Sequence, residues 1–287
     1  MSSNGFLSPR DLLINNKFCC DGPNFTELTN ALWAAQDLPA SEMMINYKTG
    51  LSENGIQALY SIVWPIVERF QEIQQSSANL RIGCQKVKDV CDRALYIAST
   101  AQPDYDAIFD DLEKLFMDPD NDSLRQQVDK TIGDRLTAID ALKAISGDAT
   151  NLLRSSTTEI IEIQSKLTDL GNALGGSDIH DKLASRDPTE EDVQNDLAAV
   201  SILRTSFKDI IKGQNMQDQS GPSLNNLEIL LGAVSAITGD LDGLRDSIKS
   251  STQPGPGLLL NVEKAKVLEL WATLQSEVQK FKDQYSV

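Results

Sequence analysis

The residues best suited to carry chemistry are an acidic run, one histidine and four cysteines. Asp118, Asp120 and Asp122 occupy alternate positions, as at the opening of a calcium-binding loop. Asp129 takes the twelfth position of that loop, but Ser123 stands at the sixth, where the loop needs glycine for its sharp turn. The pattern therefore favours a solvated acidic turn that caps the following helix over a calcium site.

The histidine and the cysteines lack the neighbours that a metal or catalytic site needs. His180 has no second histidine, adjacent cysteine or nucleophile pattern to work with. Cys19, Cys20, Cys84 and Cys91 show no Cys-x-x-Cys spacing. Cys84 and Cys91 would lie about 10 Å apart along a helix, too far for a disulfide. We expect small buried thiols in a reducing compartment, and no metal or cofactor.

Carboxylate pairs and glycine-rich turns give no enzyme pattern either. Pairs such as Asp110-Asp111 and Glu190-Glu191 are expected on solvated helix faces in so acidic a chain. The turn at Gly255-Pro256-Gly257 lacks the Lys-Ser/Thr that follows a phosphate-binding loop. The sequence therefore predicts a protein that is not an enzyme.

The charge and hydropathy of the chain exclude some classes of binding partner. Lysine and arginine number 26 against 42 acidic residues, a formal charge of −16, which argues against nucleic-acid binding and against adsorption to anionic membranes. No window reaches the ~20 apolar residues of a spanning helix, and no signal peptide is visible. We expect a soluble protein, cytoplasmic as made, that would leave the cell by a non-classical route.

Heptad-spaced apolar residues indicate long amphipathic helices. From Ile56 to Ala98 they recur at spacings of three and four over six heptads, which predicts one long helix starting near Ser52 and kinked at Pro65. A second long helix is predicted for 123–174, and three more carry their stripes over 193–210, 224–248 and 260–285. A short helix before them uses Phe25, Leu28, Leu32 and Trp33, and a short acidic one covers Tyr105 to Met117.

Prolines mark the predicted boundaries of these helices. Gln102-Pro103-Asp104 is predicted to break the chain, and Gly221-Pro222 to separate the third long helix from the fourth. Asp187-Pro188-Thr189-Glu190 predicts a helix start with Asp187 as the cap. No segment alternates like a strand.

The predicted fold is all-α. We expect an elongated up-and-down bundle of about five long amphipathic helices with coiled-coil-like packing. Residues 1–51 form an irregular segment with a short helix, and 52–287 form one domain with a polar connector near 175–187.

The most apolar and glycine-dotted stretch runs from Leu227 to Ile237. Burial within the bundle is the favoured interpretation, and contact with a membrane or a protein partner is the functional alternative. The side chains that would make such a contact are Leu227, Leu230, Leu231, Val234 and Ile237.

The layout of residues 38–287 resembles the α-helical pore-forming toxins related to cytolysin A, haemolysin BL and the xenorhabdolysins. Leu38-Pro39 and Tyr47-Lys48-Thr49-Gly50-Leu51 lead into the first long helix as at the entry to the tail bundle of the xenorhabdolysin-like group. The closing helix resembles their C-terminal tail helix in Leu270-Trp271, Leu274, Val278 and Phe281. The resemblance implies soluble subunits that oligomerise and insert a hydrophobic head into membranes.

This chain departs from that family at the head, because 101–122 is acidic and the connector at 175–187 is short and polar. The residues therefore favour a toxin component that assembles with a membrane-inserting partner, or a homo-oligomer. The alternative hypothesis is a non-enzymatic helical scaffold or adaptor for protein partners.

Overall fold

The computed structural model describes residues 5–20, 22–213, 216–250 and 263–284, and these are almost entirely helical. The helices are α1 (Gly22–Gln36), α2 (Glu42–Thr49), α3 (Glu53–Ala58), α4 (Tyr60–Ser99), α5 (Ala101–Met117), α6 (Asp122–Ala173), α7 (Ile179–Ala184), α8 (Glu190–Gly213), α9 (Met216–Ser250) and α10 (Lys264–Gln284). Of these, α4, α6, α8, α9 and α10 contain 21 to 52 residues. The prediction of an all-α fold with about five long helices is confirmed.

The heptad stripe of the first long helix is buried from Ile56 to Ala98, as predicted. The helix itself begins later than predicted. Ser52 caps the short α3, its Oγ accepting the Gly55 N–H, and the chain leaves α-helical geometry at Leu59 before α4 starts. From there α4 continues through Pro65.

Two predicted breaks are misplaced, because both prolines lie inside helices. The helices do separate as expected, but earlier in the chain: α4 ends at Ser99 before α5 begins at Ala101, and α8 ends at Gly213 before α9 begins at Met216. Pro103 is the third residue of α5, in the first turn, where a backbone N–H would have no partner in the helix. Pro222 lies inside α9, which continues through it with Ser220, Ser223 and Leu227 buried along one face. The loss of one hydrogen bond at Pro222 is offset by the packing of that face.

The N-terminal segment contains the one pair of strands in the described residues. Leu13–Ile14 and Lys17–Phe18 pair antiparallel, after a 3₁₀ helix at Arg10–Leu12. Asn15 and Asn16 between the strands both have positive φ, as a tight two-residue hairpin turn requires. Strands of two residues are too short to show the alternation that would have predicted them.

The chain divides into two compact units, each made of separate stretches of sequence. Unit 1 comprises 1–26, 83–151 and 223–287, and unit 2 comprises 27–82 and 152–222. The single domain expected for 52–287 stays a prediction. Leu260 and Tyr285, and the side chains of Phe207 and Ile210, which the sequence placed on helix stripes, lie outside the described residues.

Unit 2 has one apolar core, to which α1 to α4, α6, α7 and α8 contribute. Its fully buried side chains include Ile45, Leu51, Leu59, Leu167 and Leu203. The cysteines belong to unit 1, where Cys19, Cys20, Cys84 and Cys91 are all buried. Burial is the largest cause that raises the pKa of Cys91, to about 12, so this thiol stays protonated at neutral pH.

A first prediction concerns the close packing at Gly55. A Cβ at this position would lie 2.1 Å from Oδ2 of Asp196 and 2.9 Å from Cδ1 of Leu51. We therefore expect Gly55→Ala to lower the free energy of unfolding by about 1–3 kcal/mol, measured by chemical denaturation. Gly147→Ala is the matched control, because a Cβ there meets nothing within 4 Å, and it should stabilise α6 by about 0.5–1 kcal/mol. Equal effects of the two substitutions would contradict this account of Gly55.

Candidate functional site

The apolar stretch singled out on α9 turns its side chains into the core of unit 1. Leu227, Leu230, Val234 and Ile237 are fully buried, and Leu231 is half-buried. Glu228 and Ser235, on the other side of the helix, are exposed. The stretch is buried, as the sequence favoured. Its contact with a membrane or a partner stays a prediction, and it would require this face of α9 to leave the core.

The acidic run forms the turn between α5 and α6. Asn121 is the residue that caps α6: its side-chain oxygen accepts the Leu124 N–H at 3.0 Å. Its amide group donates to Asp118, and Arg125 donates to the carbonyl oxygen of Pro119. Among the described residues, no group of three or more His, Cys, Asp or Glu side chains is arranged to hold a metal ion.

His180 lies on the exposed side of α7. Its Nε2 is 3.8 Å from a carboxylate oxygen of Glu190, and its Nδ1 is 3.6 Å from Asp181. These are contacts between exposed side chains, which contribute little to stability.

A buried guanidinium group, which the sequence did not single out, lies at the centre of unit 1. The side chain of Arg135 on α6 is completely buried between two aromatic rings, 4.6 Å from the centroid of Trp271 and 5.0 Å from that of Tyr105. Its Nη1 donates to the carbonyl oxygen of Ile97 and to Oγ1 of Thr100. The two aromatic faces and the carbonyl oxygen compensate part of the cost of burying the charge.

The charge of Arg135 is only partly satisfied. Asp104 is the nearest carboxylate, with Oδ2 at 3.4 Å from Nη1. Nε and Nη2 are buried without a hydrogen-bond partner in the described part of the chain, and so is the hydroxyl of Tyr105. Burial raises the pKa of Tyr105, while the charge of Arg135 opposes that rise.

The N-terminal segment is tied to this cluster through Trp271. The indole Nε1–H donates to the carbonyl oxygen of Leu7 at 2.9 Å, and the Leu7 N–H donates to Asp240 on α9 at 3.0 Å. Arg10 also donates to Asp240. Leu7 and Arg10 both have positive φ, a strained backbone conformation for such side chains that these hydrogen bonds hold in place.

Unit 2 carries a set of large apolar side chains exposed to solvent, which we call the exposed apolar residues: Trp33, Met43, Tyr47, Tyr60 and Trp64. Met43 and Tyr47 lie one turn apart on α2 and are 78% and 86% exposed. Tyr60 and Trp64 lie one turn apart on α4 with their rings stacked at 5.9 Å. Trp33 was expected to pack in its short helix, but it is 62% exposed and Arg81 lies over its ring.

The exposure of these residues follows from the side of the helix that each occupies. On α2, Ile45 and Thr49 fill the buried side, which leaves Met43 and Tyr47 on the opposite one. Met43 with Tyr47, and Tyr60 with Trp64, thus form two pairs of neighbouring exposed apolar side chains. Exposed apolar groups that lie together mark sites of contact with a partner or a membrane. The structure thus shows two exposed apolar pairs on unit 2, and inside unit 1 a buried cluster of Arg135 with two aromatic rings. Within the described residues, no helix has the length and apolar character needed to cross a membrane.

The class that the fold defines is an all-α protein of long amphipathic helices. No family model and no curated protein matches the chain. Among solved structures, it matches the soluble form of a triple head mutant of AhlC, from the tripartite α-pore-forming toxin AHL of Aeromonas hydrophila. That match has 14% identity and a TM-score of 0.27, and it covers 92% of this chain and 98% of the other. Similarity at this TM-score adds no argument about fold or function.

The second prediction tests the junction around Arg135. We expect Arg135→Ala to lower the free energy of unfolding by about 2–5 kcal/mol, because it removes a large buried side chain, its hydrogen bond to the carbonyl of Ile97 and its contacts with the faces of two rings. Denaturant unfolding followed by near-ultraviolet circular dichroism would measure it. Lys143→Ala, at an exposed position of the same helix, should change stability by less than about 0.5 kcal/mol. A similarly small effect of Arg135→Ala would contradict the central role of this residue.

Proposed function

We propose that this chain is a non-enzymatic subunit of a helical, multi-component pore-forming cytolysin and that it acts by assembling with protein partners at a membrane. The resemblance in layout over 38–287 supports the class of protein. The structural observation that carries the proposal is the set of exposed apolar residues on unit 2, because it supplies a surface on which assembly could begin.

The chemistry of these residues suits an interface. Tyrosine and tryptophan combine a large apolar ring with one polar group, so they are common both in protein interfaces and at the boundary between membrane and water. Met43 adds a flexible apolar side chain that adapts to the shape of its partner. The indole of Trp64 donates to Glu68 at 3.0 Å, which keeps its ring oriented on the surface of α4.

The long helices support a role that involves a change of partners. Their heptad stripes are buried within the chain, and contacts of this type are similar within and between chains. A helix that leaves its own core can therefore pack in the same way against a neighbouring subunit. The apolar face of α9 from Leu227 to Ile237 is one face that such an exchange would expose.

The third prediction tests the binding surface with liposomes and with the proteins encoded by neighbouring genes. We expect the chain, alone or with one such protein, to co-sediment with liposomes and to support dye release. The double variant Met43→Ser/Tyr47→Ser should bind about tenfold more weakly, because both exposed anchors are removed. Its thermal stability should be unchanged, since neither side chain is buried. Ile202→Ser, which alters a half-exposed apolar residue of α8, is the matched control and should bind normally.

Four outcomes would contradict parts of this proposal. Absence of membrane binding and dye release under every pairing would exclude the cytolysin function. A stable soluble complex without any membrane effect would favour the helical scaffold or adaptor instead. Unchanged binding of the Met43→Ser/Tyr47→Ser variant, or an equal loss in Ile202→Ser, would show that binding does not depend specifically on the exposed side chains of α2.

A further inference from the structure

A buried carboxylate on α8 holds the start of α3 in unit 2. Oδ1 of Asp196 accepts the backbone N–H of Ser52 at 2.8 Å, and Oδ2 accepts its hydroxyl at 2.6 Å. Asp196 is 2% exposed, and its carboxylate lies so close to Gly55 that no Cβ fits there. Asp196 therefore extends the cap of α3, where the positive end of the helix dipole favours a negative charge.

A second carboxyl group meets Asp196 at the corner between α7 and α8, which comprises residues 185–189. Asp187 was expected to cap α8, but the cap is Thr189, whose Oγ1 accepts the Asp192 N–H at 3.1 Å. The side chain of Asp187 is thus not engaged at the helix start. Both of its carboxyl oxygens are buried, and no donor in the described part of the chain reaches them.

The neighbour of these two oxygens is another acid. The Asp187 carboxyl lies within hydrogen-bonding reach of Asp196, and Asp192 adds a further negative charge nearby. Burial, which is the largest cause, raises the pKa of Asp187. The charges of Asp196 and Asp192 raise it further, and the hydrogen bond that protonated Asp187 donates to Asp196 adds to the rise.

We propose that the carboxyl group of Asp187 carries a proton that it donates to the Asp196 carboxylate, and that loss of this proton loosens the corner between α7 and α8. With the proton in place, the Asp187 hydroxyl donates to the Asp196 carboxylate, which still accepts both hydrogen bonds from Ser52. Without it, two carboxylates face each other in a buried site, and no donor replaces the lost hydrogen bond. Like charges in such a site destabilise it.

The other charged groups of the packed elements do not relieve this repulsion. They are Glu53 on α3, Asp178, His180, Asp181 and Lys182 at α7, Arg186 in the corner, Glu190, Glu191 and Asp192 on α8, and Glu42 and Lys48 on α2. Lys182 pairs with Asp178 at 2.7 Å, Lys48 pairs with Asp37 at 3.2 Å, and His180 faces Glu190 and Asp181. Arg186 is exposed to solvent. No cation is among the causes that set the pKa of Asp187.

The direction of the pH effect follows from the raised pKa of Asp187 in the folded chain. The folded state holds the proton more tightly than the unfolded state, in which the pKa is near 3.8. The stabilisation is complete below this pH and is lost as pH rises through the pKa of the folded state. Acid therefore closes the corner, and neutral pH loosens it.

The fourth prediction uses Asp187→Asn, which keeps the shape, removes the charge and gives Asp196 an N–H donor at every pH. At pH 7.5 we expect a higher melting temperature than in the wild type. Hydrogen exchange, corrected for its intrinsic pH dependence, should be slower over 183–189 and 53–59. Both differences should shrink as pH falls through the folded-state pKa of Asp187 and should be smallest below the unfolded value of 3.8, where the wild type keeps this proton.

Glu191→Gln is the matched control, because Glu191 is an exposed carboxylate in the first turn of α8, four residues after Asp187. It should show neither the gain at pH 7.5 nor its pH dependence. Three results would overturn the proposal: a stability difference for Asp187→Asn that does not vary with pH, a variant less stable than the wild type at pH 7.5, or the same profile in Glu191→Gln. None of these measurements involves a membrane or a partner, so their outcome is independent of the proposed function.

Discussion

Burial of the positive charge of Arg135 constrains the arrangement of unit 1. Removing a guanidinium group from water costs several kcal/mol unless the surrounding elements compensate it. Here α4 supplies the carbonyl of Ile97 from its last turn, where carbonyl groups run out of partners within the helix. Tyr105 and Trp271 supply ring faces from α5 and α10. The end of α4 at Ser99 is thus part of the same arrangement, because it makes that carbonyl available.

Unit 2 also contains a buried charge at the end of a helix, but there the charge is negative. Asp196 is a buried negative charge, and it lies at the N-terminal end of α3, where the backbone N–H groups lack partners within the helix. In each unit, then, a buried charge from one long helix is matched to the end of another helix whose dipole favours it. Such contacts fix which elements meet more specifically than apolar stripes do, since apolar contacts tolerate sliding along the helix.

The parts of the fold that sequence could predict are those with long-range periodicity. Six heptads average out local irregularity, so the buried stripe of α4 was correct along its whole length, whereas boundaries inferred from Pro103 and Pro222 were wrong. A proline is compatible with the first turn of a helix, and sequence alone does not show where that turn lies. Arg135 was missed because Ile132, Leu136 and Ile139 complete the apolar stripe without it, although it too lies on the buried side of α6. An arginine at such a position is the signal that could have identified it.

The cores of the long helices also contain small polar residues, and this bears on how the helices could separate. Ser76 and Ser77 are buried on α4, as are Ser146, Thr150 and Thr157 on α6. The hydroxyl of Thr150 donates to the carbonyl of Ser146 in its own helix, so this bond survives when the helix moves. Each such position buries less apolar area than a leucine would, and less free energy is lost when water reaches it. The buried charges of Arg135 and Asp196 therefore hold each unit more specifically than these polar positions do. Since they lie on α6 and α8, neither helix can leave its unit without breaking the hydrogen bonds of its buried charge.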